Sequence, residues 1–254
     1  MILTSRNNES VRLVRSLRDK KHRTETNLFV LEGKKFVRDA MQSGHVPQRI
    51  FQSERSAEQK LFTEDAIVVS DDLLQYMSET KTPQGVLALF EMPQADFQTF
   101  RERSRILYLE HVQDADNVGA LIRSAVCAGY DGVMLDSNCA DCYGGKAVRA
   151  AAGSIFNIAV LRDANLDQVV TMRKQGFFVL GSHLDGDESF DETMLKKWIL
   201  IIGNEGQGMS AESTAICDAL VRIPIRGNCE SLNAAVAGAL LMYKTMGYYG
   251  KALS

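Results

Sequence analysis

Three short segments of this 254-residue chain combine polar side chains, glycine and a predicted strand-to-helix transition, the setting in which a parallel sheet holds a ligand. The first follows the apolar Leu107-Tyr108-Leu109, reads Asp114-Ala115-Asp116-Asn117-Val118-Gly119, and leads to Arg123. Asn117 falls near the start of the predicted helix and Arg123 on its second turn, a spacing expected to aim both at one pocket. The second follows Trp198-Ile199-Leu200-Ile201-Ile202 and reads Gly203-Asn204-Glu205-Gly206-Gln207-Gly208. Its glycines let backbone amides approach a ligand closely. The spacing is G-x-x-G-x-G with no Lys-Ser/Thr after it, which disfavours both a dinucleotide fingerprint and a nucleoside-triphosphate loop. A tight turn alone would account for the glycines and leave the Asn204-Glu205 pair unexplained. The third follows Val221-Arg222-Ile223-Pro224-Ile225 and reads Arg226-Gly227-Asn228-Cys229-Glu230-Ser231-Leu232-Asn233 before an Ala-rich helix. Ser231 fits a helix cap, and Asn233 adds a second polar group at the same helix start.

The elements that must position these loops read as alternating strands and helices. Asn8 caps a predicted helix with Val11, Leu13, Val14 and Leu17 on one side and Arg12, Arg15 and Arg18 on the other. Strands are predicted at Leu28 to Leu31, Arg49 to Phe51, Ala66 to Val69 and Gly85 to Phe90, with helices at 34–42, near 55–64 and at 71–78. Residues 1–92 thus form a small α/β domain, and the polar, proline-containing run Glu91 to Asp96 opens a linker, residues 93–103. Over 104–254, apolar strands are predicted at Ile106 to Leu109, Gly132 to Leu135, Phe156 to Val160, Phe177 to Leu180, Trp198 to Ile202 and Val221 to Ile225. Helical segments separate most of them, so a mainly parallel sheet covered by helices on both faces is expected.

Composition narrows the function classes. Hydrophobic residues make up 45% and charged residues 24%, which is ordinary globular material, and no apolar run is long enough to span a bilayer. The start of the chain lacks a signal-peptide core, so a cytoplasmic protein with no membrane partner is expected. The five cysteines are expected to be reduced thiols, and Cys139-Ala-Asp-Cys142 lacks the second Cys/His pair that a zinc site requires, so no metal is expected. Net charge is −3, but residues 1–23 carry seven Lys/Arg against Glu9 and Asp19, or +5, leaving −8 for the rest. Arg12, Arg15, Arg18, Lys20, Lys21 and Arg23 are therefore candidate phosphate contacts, although a solvated charged face has the same appearance.

Taken in order, Asn117-x-Gly119-x-x-x-Arg123, Ile202-Gly203-Asn204-Glu205-Gly206, and Ile223-Pro224-Ile225 with Ser231-Leu232-Asn233 resemble the three motifs of the SpoU/TrmH-type RNA 2′-O-ribose methyltransferases of the SPOUT superfamily. Lys146 to Ser154 resembles a further family segment, with Ala151 where many members have serine. Leu28 to Gly33 and Thr82 to Ala88 extend the resemblance to nearly the whole chain. It implies an N-terminal RNA-binding domain, a C-terminal trefoil-knotted methyltransferase domain, a homodimer and S-adenosyl-L-methionine as cofactor. Ribosomal RNA is the preferred substrate, with transfer RNA as an alternative. By the same resemblance Gly203, Asn204, Gly206, Ile223 and Leu232 bind the cofactor, while Arg123, Asn117, Ser231, Asn233 and Glu205 serve catalysis. A guanidinium is a costly base near neutral pH, so Arg123 is assigned to charge stabilisation and phosphate binding. Two rivals stand beside this reading: an RNA-binding protein that keeps the fold without the reaction, and a SPOUT enzyme that methylates a base nitrogen. The presence of Arg123, Ser231 and Asn233 speaks against the first.

Overall fold

The computed structural model describes residues 2–59, 62, 66–188, 196–227 and 231–248. Two compact units share the chain in an interleaved way. Unit 1 holds residues 1–92 together with 141–156; unit 2 holds 93–140 and 157–254.

Unit 1 begins with α1 (Glu9–Ser16), where the Asn8 side chain accepts the Ser10 N–H at 2.9 Å, and α2 (Lys20–Thr26), capped by Asp19. Then come β1 (Leu28–Glu32), α3 (Lys34–Gln42), β2 (Arg49–Ser53), α4 (Glu54–Glu58), β3 (Ile67–Val69), α5 (Asp71–Met77) and β4 (Val86–Glu91). The sheet order is β1-β4-β2-β3, with β2 and β3 parallel and the other pairs antiparallel. Val11, Val14 and Leu17 pack on Phe51, Val69, Leu73, Met77 and Leu89, which is the side of α1 that the hydrophobic spacing selects. The predicted helix at 55–64 stops at Glu58 among the described residues; residues 60, 61 and 63–65 lie outside them.

Residues 141–156 contribute α8 (Gly145–Ala151) and a 3₁₀ turn (Ser154–Phe156) to this unit. Phe29 lies 5.1 Å from Tyr143 and 5.6 Å from Phe156 between ring centroids, and Phe90 meets Phe156 edge-on at 4.9 Å. Arg23, 5% exposed, donates from Nη2 to Asp141 at 2.6 Å and from Nη1 to the Leu17 carbonyl at 2.6 Å. Ala151, at the position that departs from the family serine, is fully buried in this packing.

Unit 2 contains α6 (Phe97–Arg101), β5 (Arg105–Leu109), α7 (Ala115–Ala128), β6 (Gly132–Asp136), β7 (Ala159–Ala164), α9 (Leu166–Lys174), β8 (Phe178–Asp187), β9 (Trp198–Ile202), α10 (Ala211–Ala215), β10 (Ala219–Val221) and α11 (Ala234–Thr245). All five pairings are parallel, in the order β10-β8-β9-β5-β6-β7. Tyr108, Met134, Ile199 and Ile201 pack with Phe100, Val169 and Met172 in one buried cluster. α11 packs against α7 and β9, where Gly238 lies against Leu121 and Ile202. Strands covered on both faces are what their unbroken apolar runs anticipate.

Three strands depart by more than two residues from the sequence reading, and one of them is β8, which runs on to Asp187 where Leu180 was its predicted end. Phe156 ends a 3₁₀ turn and β7 starts only at Ala159, because Phe156 is drawn into the aromatic cluster of unit 1. The predicted strand Val221 to Ile225 ends at Val221, and residues 222–227 run irregularly with Ile223 and Ile225 turned to a cavity.

The Arg23–Asp141 pair yields a stability expectation. Removing one partner strands a buried charge, so Arg23→Ala should cost about 3–5 kcal/mol in urea unfolding, while Arg23→Met with Asp141→Leu should recover much of the loss. Arg12→Ala, at an exposed position, should stay within about 0.5 kcal/mol of the parent. Equal losses for Arg23→Ala and Arg12→Ala would refute the buried role.

Candidate active site

The sheet changes direction of growth between β9 and β5, and the three polar loops meet beyond the carboxyl ends of these strands and β8. After Ile202 the chain turns at Gly203, where a Cβ would lie 2.3 Å from the Gly208 carbonyl carbon and 2.4 Å from the Met209 nitrogen. Only glycine fits so close a return of the backbone. Asn204 and Gly208 exchange two backbone hydrogen bonds at 2.9 and 3.0 Å, closing the turn. The Asn204 side chain works in both directions: Oδ1 accepts from Gly206 N at 2.9 Å and Gln207 N at 3.0 Å, and Nδ2 donates to the His111 carbonyl at 2.8 Å. The loop is therefore tied to the end of β5.

Glu205 makes the next tie. Its carboxylate accepts from the Asn117 side-chain amide at 3.0 Å, Asp114 N at 3.1 Å and Gln113 N at 3.3 Å. Asn117 in turn accepts from Asn233 Nδ2 at 2.9 Å, and Asn233 Oδ1 caps α11 by accepting from Ala235 N and Val236 N at 2.9 and 3.2 Å. One residue from each sequence motif thus joins a single hydrogen-bonded line. Burial pushes the Glu205 carboxyl up, but the donors from Asn117 and from the backbone of Glu205, Asp114 and Gln113 outweigh it, leaving the group below its ordinary value of 4.5.

A third tie was not legible as such in the sequence. Glu110, 3% exposed at the end of β5, accepts from Ser210 N at 2.9 Å and from the Ser210 and Ser213 hydroxyls at 2.6 Å each. It fixes the far end of the glycine loop where α10 begins. An acidic residue immediately after an apolar strand was the available signal.

Beside these ties lies a cavity of about 360 Å³. Gly203, Asn204, Gly206, Ile223 and Leu232, the residues assigned to the cofactor, all line it, as do Glu205 and Ser231. Asn117 and Asn233 stand behind the lining, holding Glu205 and the start of α11. Residues 228–230 of the third loop lie outside the described residues. Ser182 to Asp185 also form a wall of the cavity. Sequence reasoning passed over them, although they follow the apolar Phe178-Val179-Leu180 within β8.

Arg123 is not brought together with Asn117 in the single chain. Six helical positions turn through a net angle of about 120°, so Asn117 is buried while Arg123 is exposed on α7 and absent from the cavity lining. Among the described residues it has no ion-pair partner. The six basic residues of the N-terminal stretch also divide. Arg12, Lys20 and Lys21 are exposed, whereas Arg15 donates to the Tyr76 carbonyl at 3.0 Å and Arg18 to the Met77 carbonyl at 3.3 Å, capping the end of α5. Arg23 is consumed by Asp141. Among the described residues no His/Cys/Asp/Glu group is arranged to hold a metal, and no helix is long and apolar enough to cross a membrane.

Comparison with known proteins agrees with this geometry over both units. Residues 8–88 match the model of the MRM3-like substrate binding domain. The 23S rRNA (guanosine(2553)-2′-O)-methyltransferase RlmP of Bacillus subtilis is 35% identical over 248 residues, covering 96% of this chain and 99% of that protein. The 23S rRNA (uridine(2479)-2′-O)-methyltransferase of Streptomyces viridochromogenes is 30% identical, covering 96% and 91%. The AdoMet-bound crystal structure of an rRNA methyltransferase from Sinorhizobium meliloti superposes with a TM-score of 0.86 at 30% identity, covering 100% of this chain and 99% of that one. Residues 104–243, which carry all three loops, match the SpoU rRNA Methylase family model, and the chain belongs to that family.

Proposed function

We propose that this protein transfers the methyl group of S-adenosyl-L-methionine to a ribose 2′-hydroxyl of ribosomal RNA. The observation that carries the reading is the line from Glu205 through Asn117 to Asn233, which binds three family motifs into one rigid wall beside the cavity. The Bacillus subtilis and Streptomyces viridochromogenes relatives are 23S rRNA 2′-O-methyltransferases, which favours ribose over base chemistry and ribosomal over transfer RNA. The cavity suits the donor: Ile202, Ile223, Ile225 and Leu232 offer apolar surface to a nucleoside, and Asn204, Ser231 and the loop backbone offer a few polar groups. When bound, that cofactor supplies an electrophilic methyl group.

The protein's share of the work is positioning and charge. A ribose hydroxyl is a poor nucleophile, so the reaction needs it held in line and its developing negative charge stabilised. Ser231 at the cavity edge and Asn233 behind it orient the hydroxyl. Arg123 presents a planar set of donors and serves the RNA phosphate and the emerging oxyanion. Residues 1–92 form the RNA-binding domain, with the exposed Arg12, Lys20 and Lys21 on phosphates. The proposed setting is the cytoplasm, in keeping with a ribosomal RNA substrate.

The assembly is a homodimer formed through the outward face of α11. This helix buries Ala234, Gly238, Leu241 and Met242 but leaves Val236 49% exposed, and Leu232 just before it is 37% exposed. A two-fold interface would cover the same patch on both copies.

The direct test incubates the protein with ribosomal RNA and S-adenosylmethionine, then digests the RNA for mass spectrometry of nucleosides. A ribose-methylated nucleoside is expected; a base-methylated one, or none, overturns the reading. In the same assay Arg123→Ala should lower turnover by at least about a hundredfold, the scale for loss of one charge-stabilising group. Its affinity for S-adenosylhomocysteine should stay within a few-fold of the parent. Near-normal turnover would remove Arg123 from catalysis.

Glu205 gives a pH dependence. Its folded-state value is depressed, so the stability it contributes is present above 4.5 and is lost as pH falls through the lower folded value. Glu205→Gln should therefore melt below the parent at pH 7, with the gap closing below pH 4.5. A gap that persists unchanged into acid would show that the charge is irrelevant.

Sedimentation of the parent should show a dimer at micromolar concentration, and Val236→Glu should shift it to monomer and weaken donor binding, because α11 starts at the cavity. A monomeric parent with full donor affinity would rule the dimer out.

A further inference from the structure

β8 leaves its ladder at the cavity. Leu220 of β10 is opposite Gly181, yet the next residue, Val221, is opposite Asp187, so residues 182–186 are extruded between consecutive partners. On the other side, the last pairing with β9 joins Gly181 to Ile201. The excursion closes at Gly186, where a Cβ would meet the Val221 backbone at 2.6–2.7 Å and only glycine fits. His183, Leu184 and Asp185 stand at its crest and line the cavity.

The polar chemistry of this crest is specific. Asp185 N donates to His183 Nδ1 at 3.2 Å, so in the neutral ring the proton resides on Nε2, which is left as a donor. The Asp185 carboxylate is 3.8 Å from Nδ1, beyond a direct hydrogen bond, and 91% exposed. Other charged groups of the lining are already engaged. Arg222 holds Glu188 at 2.9 Å, and Glu205 is taken by Asn117 and backbone amides. What remains for a ligand is one imidazole donor and one carboxylate, two residues apart on the same wall.

We propose that His183 and Asp185 form the subsite for the amino-acid end of the methyl donor, His183 Nε2 donating to its α-carboxylate and Asp185 accepting from its α-ammonium. This rests on the donor reading given above. A zwitterion needs a donor and a charged acceptor side by side, and the β8 excursion supplies both.

Calorimetry with two stable probes separates this subsite from the rest of the cavity. S-adenosylhomocysteine carries the amino-acid end, and 5′-methylthioadenosine has the same adenine, ribose and thioether without it. The parent should prefer the first. His183→Ala and Asp185→Ala should each weaken S-adenosylhomocysteine binding about tenfold, the loss expected for one hydrogen bond to a charged group. Both should leave 5′-methylthioadenosine within twofold, and Asp185→Glu should recover part of the affinity. Equal losses for both probes would mean the excursion only shapes the wall, and no loss for either would mean it does not touch the ligand; each overturns the subsite. A parent that binds neither probe overturns the donor reading itself, and a parent that binds both equally overturns the subsite alone.

Discussion

The acceptance of three hydrogen bonds by the Glu205 carboxylate is the constraint on which the rest of the site depends. A glycine-rich turn has many conformations available and would cost entropy to order around a ligand. Here that cost is met in the fold. Glu205 fastens the middle of the turn to the start of α7, Asn204 fastens its beginning to the His111 carbonyl, and Glu110 fastens its end through Ser210. The residues between His111 and Asn117 supply the partners for two of these ties, so the first and second motifs behave as one body.

Much of this was legible in the sequence because local rules and global fold agree. The amphipathic spacing of Val11, Val14 and Leu17, the unbroken apolar runs of β5, β6 and β9, and the glycines at 203, 206 and 208 each have a single economical structural meaning. Where the reading failed, long-range packing decided. Phe156 has the composition of a strand residue but is taken by Phe29 and Phe90, and Ile223 and Ile225 alternate like a strand yet leave the ladder for the cavity. Residues 141–156 look contiguous with the C-terminal domain in sequence, and nothing local announces that Tyr143 and Phe156 belong with an aromatic cluster built from β1 and β4. The arginine stripe was ambiguous for a related reason. Arg12 and Arg15 look equivalent on a helical projection, and only the tertiary position of Tyr76 separates a free cation from a capping one.

The electrostatics of the site follow from how its one motif carboxylate is handled. A reaction that generates negative charge on a ribose oxygen is opposed by a free carboxylate nearby and helped by a fixed cation. Glu205 is surrounded by an amide side chain and peptide N–H groups, neutral donors that stabilise its charge without using a cation. The next two members of the line, Asn117 and Asn233, are neutral as well, so the line ends on the helix α11 N-terminus without drawing in an arginine. Elsewhere in the chain the arginines are heavily committed: Arg23 to Asp141, Arg105 to Asp131, Arg173 to Asp218 and Arg222 to Glu188. Arg123 is exposed and lies outside these pairs. Holding the acid with amides therefore fixes the loop without consuming a cation.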